Sequence, residues 1–144
     1  VIADRIGLQG WSNGGSAAIA TMSLDAPGIT QPSPETGFRA ALAFYPGCGL
    51  KGLFDKEPFR PYAPVLLLHG TADEEVSYKR CVSLAEQSRG AGGAIEIKLY
   101  PGATHSFDAP TRKRQSNDAN AMATEDAVPR ALQFFARTVS GARD

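Results

Sequence analysis

One serine of the sequence lies in a turn whose composition suits nucleophilic chemistry. Ser12 stands in "GWSNGG" (residues 10–15), with Gly10 and Gly14 on its two sides. Such a Gly-x-Ser-x-Gly turn between a strand and a helix strains the serine and exposes its hydroxyl, while the helix N-terminus directs free N–H groups to the same place. The pattern predicts a nucleophile at Ser12 and an oxyanion donor in the N–H of Asn13. The same sequence pattern also occurs in glycine-rich turns that only cap a helix.

A serine hydroxyl is a weak nucleophile unless a base removes its proton, and the sequence offers two histidines for this task. His105 lies in "YPGATHSF", a loop that follows the last predicted strand, where a catalytic base is expected. His69 lies near the end of the apolar segment "VLLLHG". We interpret His69 as a core histidine with a satisfied hydrogen bond and His105 as the base.

The acid that would orient this base has several candidates. "HGTADEEVS" contains Asp73, Glu74 and Glu75 in a row. Asp73 comes first after the strand, and its short side chain suits a fixed hydrogen bond to an imidazole better than the longer glutamates, although a turn-forming aspartate is a common alternative. Asp108 is a weaker rival because it would have to double back along the loop of His105. We therefore predict Asp73 as the acid.

The elements that must position these residues alternate along the chain. Apolar runs and helical periodicity, separated by glycine and proline, predict strands near 5–10, 38–45, 63–70 and 94–100 and helices near 15–22, 77–90 and 124–139. Pro129 falls inside the last pattern, so we expect the regular helix to start near it or to be kinked there. This order predicts the α/β class, with parallel strands and flanking helices. Ser12, Asp73 and His105 then each follow a strand, in the chain order that α/β-hydrolases use.

Length and charge limit the possible functions. The 144 residues correspond to one domain, 1–144. Fifteen basic residues balance fifteen acidic ones, so neither nucleic acid nor a membrane surface is a favoured partner. The predicted chemistry of Ser12, His105 and Asp73 implies no metal or organic cofactor. The chain opens at Val1 without a methionine or a signal-like segment, so we expect a fragment, a processed product or part of a longer protein, and its localisation is left unknown.

Four segments together resemble a known family: "DRIGLQGWSNGG", "FYPGCG", "PVLLLHGTADEEVS" and "LYPGATHSFD". In this order they look like the carboxyl-terminal part of the dienelactone hydrolase family, which has the α/β-hydrolase fold. The resemblance implies hydrolysis of a small-molecule ester or lactone through an acyl-enzyme on Ser12, with His105 and Asp73 as partners. The family members proper use cysteine where Ser12 stands, so we expect a broader serine esterase.

The resemblance also implies that the strands normally preceding Ser12, and the loop with the second oxyanion donor, are absent from this segment. The outer edge of the first strand would then be unpaired, so we expect a companion fragment or self-association through that edge. The alternative function is a catalytically impaired partial domain with a structural or binding role, because loss of one oxyanion donor costs about 10²- to 10³-fold in rate.

Aromatic residues and cysteines around the long loop 46–63 leave further alternatives open. Trp11 is either a wall of the substrate pocket or core packing under the turn. The same two alternatives apply to Tyr45, Phe54 and Phe59. Cys48 and Cys81 lie on the carboxyl side of neighbouring strands, so they are either bridged, which would suggest an exported protein, or two reduced thiols.

Overall fold

The computed structural model describes residues 2, 4–26, 31–50, 53 and 56–140, and a four-stranded parallel sheet lies at its centre. The strands lie side by side in chain order: β1 (Gly7–Trp11), β2 (Ala40–Phe44), β3 (Val65–Gly70) and β4 (Ile95–Tyr100). The helices are α1 (Asn13–Thr21), α2 (Tyr78–Gly90), α3 (Arg112–Gln115) and α4 (Asp118–Thr138). The α/β class and the parallel pairing predicted from the sequence are confirmed.

The two central strands are buried at every position because helices cover both faces of the sheet. Alternate residues of β2 and β3 enter two separate cores. On the face of α1 and α2 they pack with the buried side chains of Ile19, Met22 and Leu84. On the face of α4 they pack with Phe107 and Phe134. No helix in the described part of the chain is both long and apolar enough to span a bilayer.

Several boundaries differ from the predicted ones for local reasons. Helix α1 begins at Asn13 because the turn after β1 consists of a single residue, Ser12. Helix α4 begins at Asp118, where the side chain of Asn117 caps it by accepting two backbone N–H groups. Pro129 therefore lies inside α4, and the expectation that the regular helix starts near Pro129 is wrong. The short helix α3 was not predicted.

Candidate active site

The turn between β1 and α1 is tight because Gly10 has no side chain. A Cβ at Gly10 would lie 2.2 Å from the carbonyl oxygen of Gly14. Ser12 has φ 50° and ψ −117°, a region that costs a non-glycine residue about 1–3 kcal/mol. Its N–H donates to the carbonyl of Phe44 at 3.0 Å, which holds the turn against β2. A Cβ at Gly14 would meet nothing within 4 Å, so the tightness of the turn requires glycine at position 10 and not at position 14.

His105 lies between Ser12 and Asp73. Its Nε2 is 3.0 Å from Oγ of Ser12, and its Nδ1 is 2.9 Å from Oδ2 of Asp73. An ionised carboxylate only accepts hydrogen bonds, so Nδ1 carries the proton and Nε2 can accept the hydroxyl of Ser12. The imidazole is buried, with 2% of the residue exposed. The structure thus brings together the three residues that the sequence predicted as nucleophile, acid and base.

Asp73 accepts four hydrogen bonds. Its Oδ1 receives the backbone N–H groups of Glu75 and Val76, both at 2.9 Å. Its Oδ2 faces Nδ1 of His105 and, at 3.1 Å, Nε2 of His69. Burial alone would raise the pKa of the Asp73 carboxyl, but the hydrogen bonds from Val76, His105 and Glu75 outweigh it and lower the pKa. Asp73 therefore remains an anion with a fixed orientation.

His69 is the core histidine that the sequence predicts, and it also contacts Asp73. It is fully buried, as expected of a core histidine, but its hydrogen bond is to Asp73 itself. Burial lowers the pKa of His69 although the carboxylate of Asp73 opposes this, so the ring is neutral and donates through Nε2. The hydrogen bond predicted for His69 is thus present, while its Nδ1 is buried and has no hydrogen-bond partner among the described residues.

Two further acids of the described residues contact His105, and neither contact was predicted from the sequence. Glu74 accepts the backbone N–H of His105 at 2.9 Å and pairs with Nη1 of Arg114 at 2.8 Å. The bond from Arg114 and the N–H of His105 lower the pKa of Glu74 to about 2. Oε2 of Glu75 lies 3.3 Å from Nε2 of His105. The sequence indicates an acidic segment here, because three consecutive acids follow a buried strand. Their spacing does not show which of the three side chains contacts His105.

Asp108 joins the nucleophile turn to the loop of His105. Its Oδ2 accepts Nε1–H of Trp11 at 2.9 Å, and its Oδ1 accepts the hydroxyl of Tyr45 at 2.7 Å. Trp11 is 46% exposed and stacks on Phe44 with ring centroids 5.5 Å apart, so it is not core packing under the turn. Burial and the bond to Asp108 raise the pKa of Tyr45, which keeps its hydroxyl a donor.

The other predicted aromatic residues have different positions. Tyr45 is buried, with its ring centroid 4.7 Å from that of His105, so it packs beside the imidazole. Phe59 is fully buried in the core on the face of α1 and α2, so the interpretation of Phe59 as a pocket wall is wrong and its core alternative applies. Phe54 lies outside the described residues.

Cys48 and Cys81 form a disulfide that ties the segment after β2 to α2. Their Cα atoms are 5.0 Å apart, and both residues are buried. Of the two alternatives that the sequence left open, the structure has the bridge. The linked residues are 33 positions apart, for which the chain-entropy account of disulfides gives a stabilisation of about 3–4 kcal/mol.

The family model of the dienelactone hydrolase family matches residues 1–139 of this chain. Acyl-protein thioesterase 1 of Neurospora crassa is 31% identical to it over 106 residues, which are 72% of this chain and 40% of that protein. The match thus includes less than half of the thioesterase.

Solved structures of an esterase from Thermogutta terrifontis have a similar fold. Its propionate-bound form superposes with a TM-score of 0.62 at 24% identity, over 91% of this chain and 56% of that chain. The form phosphonylated by cyclosarin gives a TM-score of 0.54 at 25% identity, over 88% of this chain and 55% of that chain. This chain therefore spans little more than half the length of these structural relatives.

Proposed function

Because the chain belongs to the dienelactone hydrolase family, we propose that it carries the nucleophile, base and acid of a serine hydrolase of carboxylic esters or lactones. The observation that carries the proposal is the hydrogen-bond series from Oγ of Ser12 through His105 to Oδ2 of Asp73, with distances of 3.0 and 2.9 Å. The Neurospora relative is named a thioesterase, so the proposal extends to thioesters, which have the same reacting carbonyl.

In this mechanism, Oγ of Ser12 attacks the carbonyl carbon while Nε2 of His105 takes its proton. Asp73 holds the ring and stabilises the imidazolium that forms. Asn13 is the first residue of α1, so its N–H has no acceptor within the helix and can donate to the oxyanion. Nε2–H then protonates the leaving alcohol or thiol, and water releases the acyl group from Ser12 by the same steps.

Hydrolysis of a neutral aryl ester, 4-nitrophenyl acetate, tests the proposal. Ser12→Ala should lower kcat/KM about 10⁴- to 10⁶-fold, because nucleophile and base act as one unit. The matched control is Ser83→Ala on the exposed side of α2, which should leave the rate unchanged. Equal turnover by the wild type and Ser12→Ala would contradict the proposal and favour the alternative, a catalytically impaired domain with a binding or structural role.

We further infer that the outer edge of β1 pairs with a companion segment or a second copy. Among the described residues β1 is hydrogen-bonded to β2 alone. A groove of about 440 Å³ lies beside it against α4, and the apolar side chain of Leu132 in its wall is 68% exposed. Unpaired strand edges next to apolar surface favour pairing. Size-exclusion chromatography with light scattering should show an assembly, whereas a stable monomer near 15.2 kDa would contradict this inference.

A further inference from the structure

The three consecutive carboxylates differ in how their charges are accommodated. Asp73 has a fully buried side chain and four hydrogen-bond donors. Glu74 is paired with the guanidinium of Arg114. Glu75, by contrast, forms no ion pair with a lysine or arginine of the described residues, and its Oε2 lies 3.3 Å from Nε2 of His105. Glu75 therefore contributes an uncompensated negative charge next to the base.

This charge lies on the exposed side of the ring of His105. The side chain of Glu75 is 57% exposed, while that of His105 is 3% exposed. The atom that Glu75 contacts, Nε2 of His105, is also the atom that lies 3.0 Å from Oγ of Ser12. The backbone N–H of Glu75 donates to Oδ1 of Asp73, so the acid itself fixes the segment that carries the charge.

We propose that Glu75 selects substrates by charge, disfavouring esters with an anionic group near the scissile bond and favouring neutral or cationic ones. The proposal rests on the proposed function, since it assumes that substrate reacts at Ser12. Asp108, which is bonded to Trp11 next to Ser12, adds a second negative charge in the same neighbourhood. At a partly exposed site, repulsion between unit charges about 5–7 Å apart corresponds to roughly a fivefold to twentyfold change in rate.

The test uses three aryl acetates that differ only in the charge of the para substituent on the leaving group. They are 4-acetoxybenzoate (anionic), 4-acetoxybenzamide (neutral) and 4-(trimethylammonio)phenyl acetate (cationic). In Glu75→Gln, the ratio of kcat/KM for the anionic ester to that for the neutral ester should rise about fivefold to twentyfold over the wild type. The cationic-to-neutral ratio should fall. Differences in intrinsic reactivity cancel, because each ratio is compared between two enzymes.

Two further variants separate charge from position. Glu75→Asp keeps the charge and should keep most of the discrimination. Glu86→Gln removes one negative charge from the exposed side of α2 and should leave both ratios unchanged. Raising the salt concentration from about 0.02 to 0.5 M should reduce the discrimination of the wild type more than that of Glu75→Gln, in which the charge of Asp108 remains. Unchanged ratios in Glu75→Gln would overturn the proposal.

A binding experiment distinguishes failure of this proposal from failure of the proposed function. The corresponding acetanilides, which do not hydrolyse readily, are titrated into the protein while the ring signals of His105 are followed by NMR. If the neutral acetate is hydrolysed but Glu75→Gln changes neither ratio, the hydrolase stands and the charge selection fails. If no ester is hydrolysed, the selection is supported when the wild type binds the anionic anilide more weakly than the neutral one and Glu75→Gln binds the two about equally. Equal binding in both proteins overturns it.

Discussion

The two histidines of the chain bind the same oxygen of Asp73, at 3.1 Å for His69 and 2.9 Å for His105, but their second ring nitrogens have opposite surroundings. Nδ1 of His69 is buried without a partner, whereas Nε2 of His105 faces Oγ of Ser12. His69 is part of β3, whose backbone the sheet fixes, and His105 lies in the loop after β4. The bond to Asp73 therefore does not distinguish the two rings. The nitrogen that faces Ser12 does, and this is why we propose His105 and not His69 as the base.

The largest expected effect is the difference between removing one histidine and removing the other. His105→Ala should lower kcat/KM for 4-nitrophenyl acetate about 10⁴- to 10⁶-fold. His69→Gln should lower it only about tenfold, because it loosens Asp73 without removing the base. Circular dichroism should show that both variants are folded, and His105→Gln serves as a second base variant if the alanine protein is not. Equal losses in the His105 and His69 variants would contradict the distinction.

Removing the shared carboxylate should affect both histidines. Asp73→Asn should lower kcat/KM about 10³- to 10⁴-fold, because an amide cannot hold the required tautomer of His105. It should also reduce the free energy of unfolding in urea. The amide N–H₂ of asparagine cannot accept the hydrogen bonds that one carboxylate oxygen of Asp73 accepts, so donors that now bond to this oxygen would lose their acceptor. The matched control is Asp25→Asn at an exposed ion pair with Arg60, with an expected change within about 0.5 kcal/mol. An Asp73→Asn protein with wild-type activity would show that Asp73 does not orient the base.

The pH dependence of the free energy of unfolding should reveal the lowered pKa of His69. Burial lowers the pKa of His69 in the folded protein. As the pH falls below about 6.5, His69 therefore becomes protonated in the unfolded chain while it is still neutral in the folded one, which favours unfolding. Stability is therefore present above that pH and is lost on acidification. Asp73 and Glu74 also have lowered pKa values, so their contributions are present above about pH 4.5 and are lost at lower pH, for Glu74 toward about 2.

Urea unfolding between pH 7 and 3 measures this dependence. In the upper part of this range, the free energy of unfolding should change less with pH in His69→Gln than in the wild type. In the lower part, where Asp73 and Glu74 still contribute, the two pH dependences should be parallel. Parallel curves over the whole range would mean that His69 is not held neutral in the native state.

The smallest expected effect concerns the link between the nucleophile turn and the loop of His105. Trp11→Phe removes the Nε1–H donor to Asp108 but keeps a ring that can stack on Phe44. It should lower kcat/KM about threefold to tenfold, because the alignment of Ser12 and His105 becomes looser. Asp108→Asn should act through the same link, so the effects should be non-additive in the double variant. Additive effects would show that Trp11 and Asp108 act separately.

Much of the framework could be predicted from the sequence because it depends on repeating patterns. The apolar run of β3 and the turn chemistry around Ser12 are local signals, and parallel strands bring their carboxyl ends to one edge of a sheet. Asp73 and His105 were therefore placed together with Ser12 from their order along the chain. The start of α4 was missed because capping by Asn117 outweighs the periodicity that begins later.

The contacts of the site that could not be predicted depend on where neighbouring side chains point. Glu74 turns to the backbone of His105 and Glu75 to its ring, a difference that no spacing encodes. From the sequence, Asp108 is only a weaker candidate for the acid that orients His105. In the structure its carboxylate accepts hydrogen bonds from Trp11 and Tyr45. Such contacts join loops from different strands, so they become visible only when the loops are placed in space.

The most direct test of the account is covalent labelling by a fluorophosphonate probe, followed by peptide mapping with mass spectrometry. Folded wild-type protein should be labelled on Ser12 alone, because among the described residues this is the hydroxyl that lies within hydrogen-bond distance of Nε2 of His105. Labelling should be slowed strongly in His105→Ala and only modestly in His69→Gln, and it should disappear in heat-denatured protein. Folded protein without label on Ser12, or with equal label on other serines, would contradict the account.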